Sequence, residues 1–228
     1  MPSQSLRLLE TSIAELRALQ RANPTPLGSA LKRPEVTRAI GRASVVLLSS
    51  HYERYLRNLN QEAVESLLEE RAPVDRLPGL FRLLHARLPV DQIVETSWDR
   101  RDEKLHSLIS ESGPLWVTGA RLEHFDHTRL LDWMSSPKCK SVERLFRIWG
   151  DGDIFGSVTR LPTSRGSLYL RLTELVDKRN LIAHGDLTVE ATYLDVVQYI
   201  AVVRKFAASA DKRMARLVQA ITGAVRPW

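Results

Sequence analysis

Two stretches of apolar residues at helical spacing constrain this chain more than anything else in it. Val45, Leu48, Tyr52, Tyr55, Leu56 and Leu59 share one side of a run from Pro34 to about Arg71. Val189, Tyr193, Val196, Val197, Ile200 and Val203 share one side of a second, from about Val189 to Val225. At 3.6 residues per turn these stripes belong to long amphipathic helices. Pro34 suits a first helical turn, where its missing N–H leaves no bond unmade.

The rest of the chain reads the same way. Leu6, Leu9, Ile13 and Leu16 mark a first helix from Ser5 to Arg21, closed by Pro24 and Pro26. Gly79 to Leu88 predicts a shorter helix stopped by Pro89, and Val90 to Ile109 a more polar one. Residues 111–136 give a weaker signal, a short strand or turn and then a helical turn around Leu130-Leu131-Asp132-Trp133-Met134. Ser141 to Trp149 predicts a helix with Gly150 as its stop. Asp151 to Gly166 reads as a loop with one short helical turn, and Ser167 to His184 as a helix ended by Gly185. The expectation is one all-α domain over residues 1–228, a helical bundle with long antiparallel core helices, residues 1–30 as an N-terminal helical extension and 111–136 as an insertion.

Composition narrows the class. The chain has 228 residues, enough to bury a sizeable helical core. The single cysteine, Cys139, rules out an intramolecular disulfide framework and suits a reducing cytoplasm, the expected location. Met1 to Gln20 is polar and periodic, unlike a secretory leader, and no run approaches a membrane span. Lys and Arg number 33 against 27 Asp and Glu, and 26 of the 33 are arginine. A GC-rich genome explains that ratio as readily as function does. The net charge of +6 still favours a polyanionic partner.

One segment stands apart. Leu168, Leu172, Leu175, Val176, Ile182 and Ala183 form a helical stripe, and Arg179 projects into it. Asn180 and His184, four apart, stack along one edge. A buried guanidinium is costly unless it is used. The R-x4-H spacing alone means little, since about 0.7 matches are expected by chance in this composition. Arg101 with His106 supplies a second match inside the charge run Asp99-Arg100-Arg101-Asp102-Glu103-Lys104, and reads as noise.

Arg179-Asn180-Leu181-Ile182-Ala183-His184-Gly185 resembles the R-x4-6-H signature of HEPN domains in its RN-x3-H form. Ser49-Ser50-His51-Tyr52-Glu53-Arg54-Tyr55-Leu56 resembles a segment on an earlier long helix of the subgroup near the RiboL-PSP-HEPN proteins, and Leu145-Phe146-Arg147-Ile148-Trp149-Gly150 its short LF-x-x-φ-G element. The resemblance spans roughly residues 36 to 205. It implies an all-α bundle, commonly a homodimer whose R-x4-H helices face a shared cleft. It also implies metal-independent RNA cleavage in many members, often as toxins or in antiphage defence, with some members inactive.

The residues themselves suit that chemistry. Cleaving RNA without a metal requires proton transfer at the 2′-hydroxyl and the leaving 5′-oxygen, and positive charge at the phosphate. His184 is the expected proton-transfer group, Arg179 the charge and Asn180 an orienting donor. Glu53 is expected to support the site by pairing with Arg179. Lys178, Arg204, Lys212 and Arg216 are expected along the RNA backbone. No cofactor or metal is expected: His124-x-x-His127 lacks a third ligand and a cysteine, and reads as two solvent-facing polar side chains. Cys139 between two lysines reads as a bystander thiol, and Tyr52 and Tyr55 as packing. The expected partners are an RNA substrate, a second copy of the chain, and an antitoxin or defence protein. The competing expectation is a non-catalytic HEPN module that dimerises or binds RNA within a larger complex.

Overall fold

The computed structural model describes residues 1–21, 34–159, 161–224 and 227–228. Eight α-helices follow in order: α1 (Gln4–Arg21), α2 (Pro34–Glu69), α3 (Gly79–Glu95), α4 (Arg101–Ser112), α5 (Cys139–Ile148), α6 (Ile154–Val158), α7 (Pro162–Ala183) and α8 (Tyr193–Thr222). Among the described residues there is no strand, only one isolated bridge between Pro73 and Arg121. The expected stops Pro24 and Pro26, the end of the N-terminal extension, and Val225 lie outside the described residues.

Helix α2 is the centre of the bundle, packed on α1, α7 and α8. The Ser5 N–H bonds Glu62, while Glu15 lines the same groove as His51, so α1 runs antiparallel to α2. Lys178 pairs with Asp195 while Leu168 lies near Val202, so α7 runs antiparallel to α8. The all-α bundle is as expected, each of its two longest helices having an antiparallel neighbour, α1 for α2 and α7 for α8. The two longest helices themselves, expected to be antiparallel, run side by side in the same direction. Arg42 meets Val189 near their starts, and the Tyr55 hydroxyl donates to the Ala207 carbonyl further along (2.9 Å). The core is one contiguous cluster, and the apolar stripes read from the sequence supply it: Val45, Leu48, Tyr52, Tyr55, Leu56 and Leu59 from α2, with Val196, Ile200 and Val203 from α8, are all buried.

The helix expected from Val90 to Ile109 is broken between Glu95 and Arg101, and the helix expected to be capped by Ser141 already begins at Cys139. Three further boundaries differ from expectation, each for a local reason. Helix α7 begins at Pro162, a first-turn proline, and runs through Gly166 rather than starting after it. Helix α8 begins at Tyr193, because the Thr192 hydroxyl accepts from the Asp195 N–H and the Asp195 carboxylate accepts from the Thr192 N–H. Val189 thus belongs to the preceding loop. Helix α3 continues through Pro89 to Glu95. Pro89 leaves the His85 carbonyl without its i+4 donor, and Arg129 Nη1 supplies one instead (3.4 Å).

Arg129 comes from residues 111–136, whose apolar side chains Leu115, Leu122, Leu130, Leu131 and Met134 are buried in the same core. Phe125 from this segment stacks on Phe81, with ring centroids 4.4 Å apart. Asn60, buried on α2, ties in two neighbours: its Oδ1 accepts from the Trp149 indole (3.0 Å) and its Nδ2 donates to the His127 carbonyl (3.3 Å).

His85 is buried beneath this segment, 4 % exposed. Its Nε2 accepts from the Asp126 N–H and its Nδ1 faces the Ser112 hydroxyl. Burial, helped by the nearby Arg129 charge, pushes its pKa down from 6.5 to about 4. The folded protein keeps the ring neutral while the unfolded chain takes up a proton below pH 6.5, so this contribution is complete above that pH and is lost as the pH falls toward 4. The loss is about 3 kcal/mol. Urea denaturation followed by circular dichroism should show that loss between pH 7 and 4, and a shallower pH slope in His85→Gln.

Candidate functional site

The R-x4-H segment lies at the solvent-exposed end of α7. Arg179 and His184 are five residues apart, which puts their side chains about 140° apart around the helix. Helix geometry alone therefore does not bring them together. Arg179 Nη1 donates to Asn180 Oδ1 (3.0 Å), drawing the guanidinium toward the edge where Asn180 and His184 stack. Arg179 and Asn180 are half-buried and His184 is exposed. The fully buried guanidinium expected from the apolar stripe is thus half-open to solvent, because the stripe's packing ends at Val176 and Ile182, one turn to either side.

The backbone sets where His184 stands. Gly185 adopts φ +86°, a left-handed conformation that favours glycine. The Asp186 N–H reaches the Leu181 carbonyl and the Gly185 N–H the Ile182 carbonyl (3.1 Å each). This is a Schellman closure with His184 as its C-cap. The Asp186 carboxylate then accepts from the Thr188 N–H (2.8 Å) and hydroxyl (2.6 Å), which turns the chain again. Trp149-Gly150-Asp151 repeats this at the end of α5, with Gly150 at φ +93°, Asp151 N–H on the Phe146 carbonyl, and the Asp151 carboxylate on the Asp153 N–H. Both helices end in the same Gly-Asp device.

The loop from Gly185 to Thr192 crosses the start of α2 closely. A methyl group on Gly41 would overlap the Ala191 carbonyl oxygen. Next to this crossing, Arg42 Nη1 donates to the carbonyls of Asp186 (2.6 Å) and Val189 (2.9 Å), and Arg38 pairs with Glu190 (2.7 Å). None of these three α2 residues stood out in the sequence. The His-Gly-Asp tripeptide signals the turn, but no spacing within α2 signals what the turn meets.

Several expected partners of the site are committed elsewhere. Glu53 accepts from Arg57, its i+4 neighbour, and among the described residues makes no ion pair with Arg179. The expected Glu53–Arg179 pair is thus corrected, and Arg57 is itself held by the Met134 carbonyl. Lys178 pairs with Asp195 (3.0 Å) over the Tyr199 ring. Burial works against the Lys178 charge, but the Asp195 hydrogen bond and the Tyr199 and Asp195 charges outweigh it and raise its pKa. Arg204 pairs with Glu10 and ties α8 to α1. Lys212 and Arg216 are exposed, but they lie about 25 and about 32 Å along α8 from Asp195 at 1.5 Å per residue, toward the far end of that helix. Of the expected site residues, the structure joins Arg179 to Asn180 by a hydrogen bond, with His184 one helical turn beyond Asn180; Lys178 is paired across to α8, and Glu53, Arg204, Lys212 and Arg216 are held elsewhere or lie apart.

The decoy pair is also absorbed. Arg101 donates to the carbonyls of Thr96 and Val94 and lies over the Trp98 ring. Burial pushes the Cys139 thiol up to about 11, despite a weaker opposing bond from Thr173, so it is not a thiolate nucleophile at neutral pH. Among the described residues no group of three His, Cys, Asp or Glu is arranged for a metal ion, and no helix is long and apolar enough to cross a membrane.

The crossing is testable. Gly41→Ala forces a methyl against a backbone carbonyl and should cost about 1–3 kcal/mol. Gly185→Ala, strained by its positive φ, should cost about 1–2 kcal/mol. Denaturant titration measures both, and hydrogen exchange should show the damage concentrated in residues 185–192.

No curated protein and no solved structure matches the chain. The family model described as RiboL-PSP-HEPN matches residues 7–216, a span that takes in every helix except the final residues of α8 and the first turn of α1. The chain belongs to the RiboL-PSP-HEPN family of all-α HEPN domains.

Proposed function

We propose that this protein is a metal-independent endoribonuclease in which His184 moves the proton, Arg179 neutralises the charge that builds on the scissile phosphate, and Asn180 orients both. The observation that carries this reading is the Arg179–Asn180 hydrogen bond at the Gly185-capped end of α7, which draws the guanidinium to an amide lying one helical turn before the exposed His184. Family membership supports it, since HEPN domains are often ribonucleases or RNA-binding modules. The net charge of +6 suits an RNA substrate.

One copy of the edge offers RNA a single wall. Leu181 at the end of α7, Leu187 in the following loop, and Leu194 and Val197 in the first turns of α8 are apolar and exposed, at 48 %, 75 %, 61 % and 40 %. Exposed apolar clusters of this kind favour association. A second copy packed there would face two Arg179–His184 edges across one cleft and leave the phosphate between two guanidinium groups. The cellular role we propose is that of a cytoplasmic toxin or antiphage effector, held in check by a partner protein.

In the reaction, the RNA 2′-hydroxyl attacks the adjacent phosphorus, His184 accepts its proton, and the imidazolium returns that proton to the 5′-oxygen as the P–O5′ bond breaks. The products are a 2′,3′-cyclic phosphate and a 5′-hydroxyl end. His184→Ala should lower cleavage by about 10²–10⁴-fold, and Arg179→Ala by about 10²–10³-fold, the cost of losing an electrostatic donor. Both variants should keep the wild-type circular dichroism spectrum. Cleavage should persist in EDTA and stop at a 2′-deoxy scissile position. Undiminished cleavage by a pure His184→Ala sample overturns the assignment. A folded, RNA-binding wild type that never cleaves would identify a non-catalytic module.

A further inference from the structure

We propose that Arg42 is a positioning residue for His184, clipping the loop behind the histidine to α2. This rests on the reading of His184 as the proton-transfer group. Among the described residues the His184 ring makes no hydrogen bond or ion pair, so its position depends on its backbone alone. On the helix side that backbone is held by the Schellman bonds to Leu181 and Ile182. On the loop side it is held by α2, and Arg42 carries the largest share. One Nη1 serves the carbonyls of Asp186, two residues past His184, and of Val189 (2.6 and 2.9 Å). Charge-assisted bonds of this kind are about twice as strong as neutral ones.

The rest of the loop has little other anchorage. Leu187 is 75 % exposed, and Ala191 is the loop residue buried against α2, where Gly41 lets its carbonyl pass. Arg38 and Glu190 form an exposed pair that solvent weakens. Releasing Arg42 therefore frees the stretch from Gly185 to Val189 while leaving the ends of the loop attached. That motion acts directly on a C-cap whose side chain has no anchor of its own. A displacement of about 1 Å at a reacting group costs about 10²-fold in rate.

A direct contact between Arg42 and RNA phosphate predicts something different. Such a contact raises KM and makes the salt dependence of binding shallower by about one counterion. The geometry favours positioning, because Nη1 is already committed to two carbonyls.

The test uses the full chain with Arg42→Ala, Arg42→Met, which keeps the aliphatic stem, and Arg42→Lys. The probes are an RNA oligonucleotide, the His184 ring signals in a ¹H–¹³C spectrum assigned with His184→Gln, and amide exchange over residues 185–192. We expect Arg42→Ala and Arg42→Met to lower kcat by about 10–100-fold with KM within about two-fold and an unchanged salt slope. Their His184 ring signals should shift or broaden, and amides 185–189 should exchange at least about ten-fold faster. Arg42→Lys should recover part of kcat and of the ring signal, since an ammonium can still reach one carbonyl. Unchanged ring signals and exchange in both Arg42→Ala and Arg42→Met overturn the clip. A raised KM with a shallower salt slope overturns it in favour of direct RNA contact. If the wild type proves not to cleave RNA, the ribonuclease reading fails, while the ring and exchange measurements still decide whether Arg42 holds His184.

Discussion

Much of the architecture depends on the passage of one peptide carbonyl, that of Ala191, across Gly41. Helices α2 and α8 run parallel and start close together, so the chain leaving α7 must cross the beginning of α2 before α8 can begin. A side chain at residue 41 would occupy the space of that carbonyl. With the crossing in place, the Thr192–Asp195 capping box starts α8 immediately, and the nine-residue connection from α7 is short enough to stay ordered against α2. The same crossing determines where α7 stops in space, and hence where His184 stands.

A second level of organisation comes from buried polar groups that join elements distant in sequence. Asn60 bridges Trp149 and His127, and Asp151 accepts from Asp153, Ser157 and Arg213. Buried polar atoms are costly when unpaired, so each of these pairings constrains the geometry of both partners. Arg129 does the same at α3, where it replaces the hydrogen bond that Pro89 removes and bridges Glu111 and Asp126. Through these contacts the segment 111–136 shares its core with α2, α3 and α5, even though its own sequence signal for regular structure is weak.

The helical stripes were legible because burial on one side of a long helix leaves a periodic record. The R-N-x3-H edge was legible because an arginine breaks such a record and a glycine ends it. The supporting ion pairs were not legible. Glu53 offered itself to any of several arginines, and the nearest on its own helix, Arg57, holds it. Lys178 and Arg204 read as free cations, yet each closes a helix–helix contact. With 26 arginines in the chain, charge alone gives no pairing rule; only distance does. Pro89 misled for a related reason: its helix-breaking effect is a local property, and the donor that compensates for it arrives from forty residues away.

The sequence by itself determined the fold class, the family and the three residues at the end of α7, because these follow from periodicity, capping chemistry and a short motif, all of which act within one helix. The tertiary structure decided which charges pair across helices and which residues on α2 hold the loop behind the histidine. The hold on the loop depends on a contact between segments more than a hundred residues apart, Arg42 with Asp186, and no local pattern of residues encodes a partner that far along the chain.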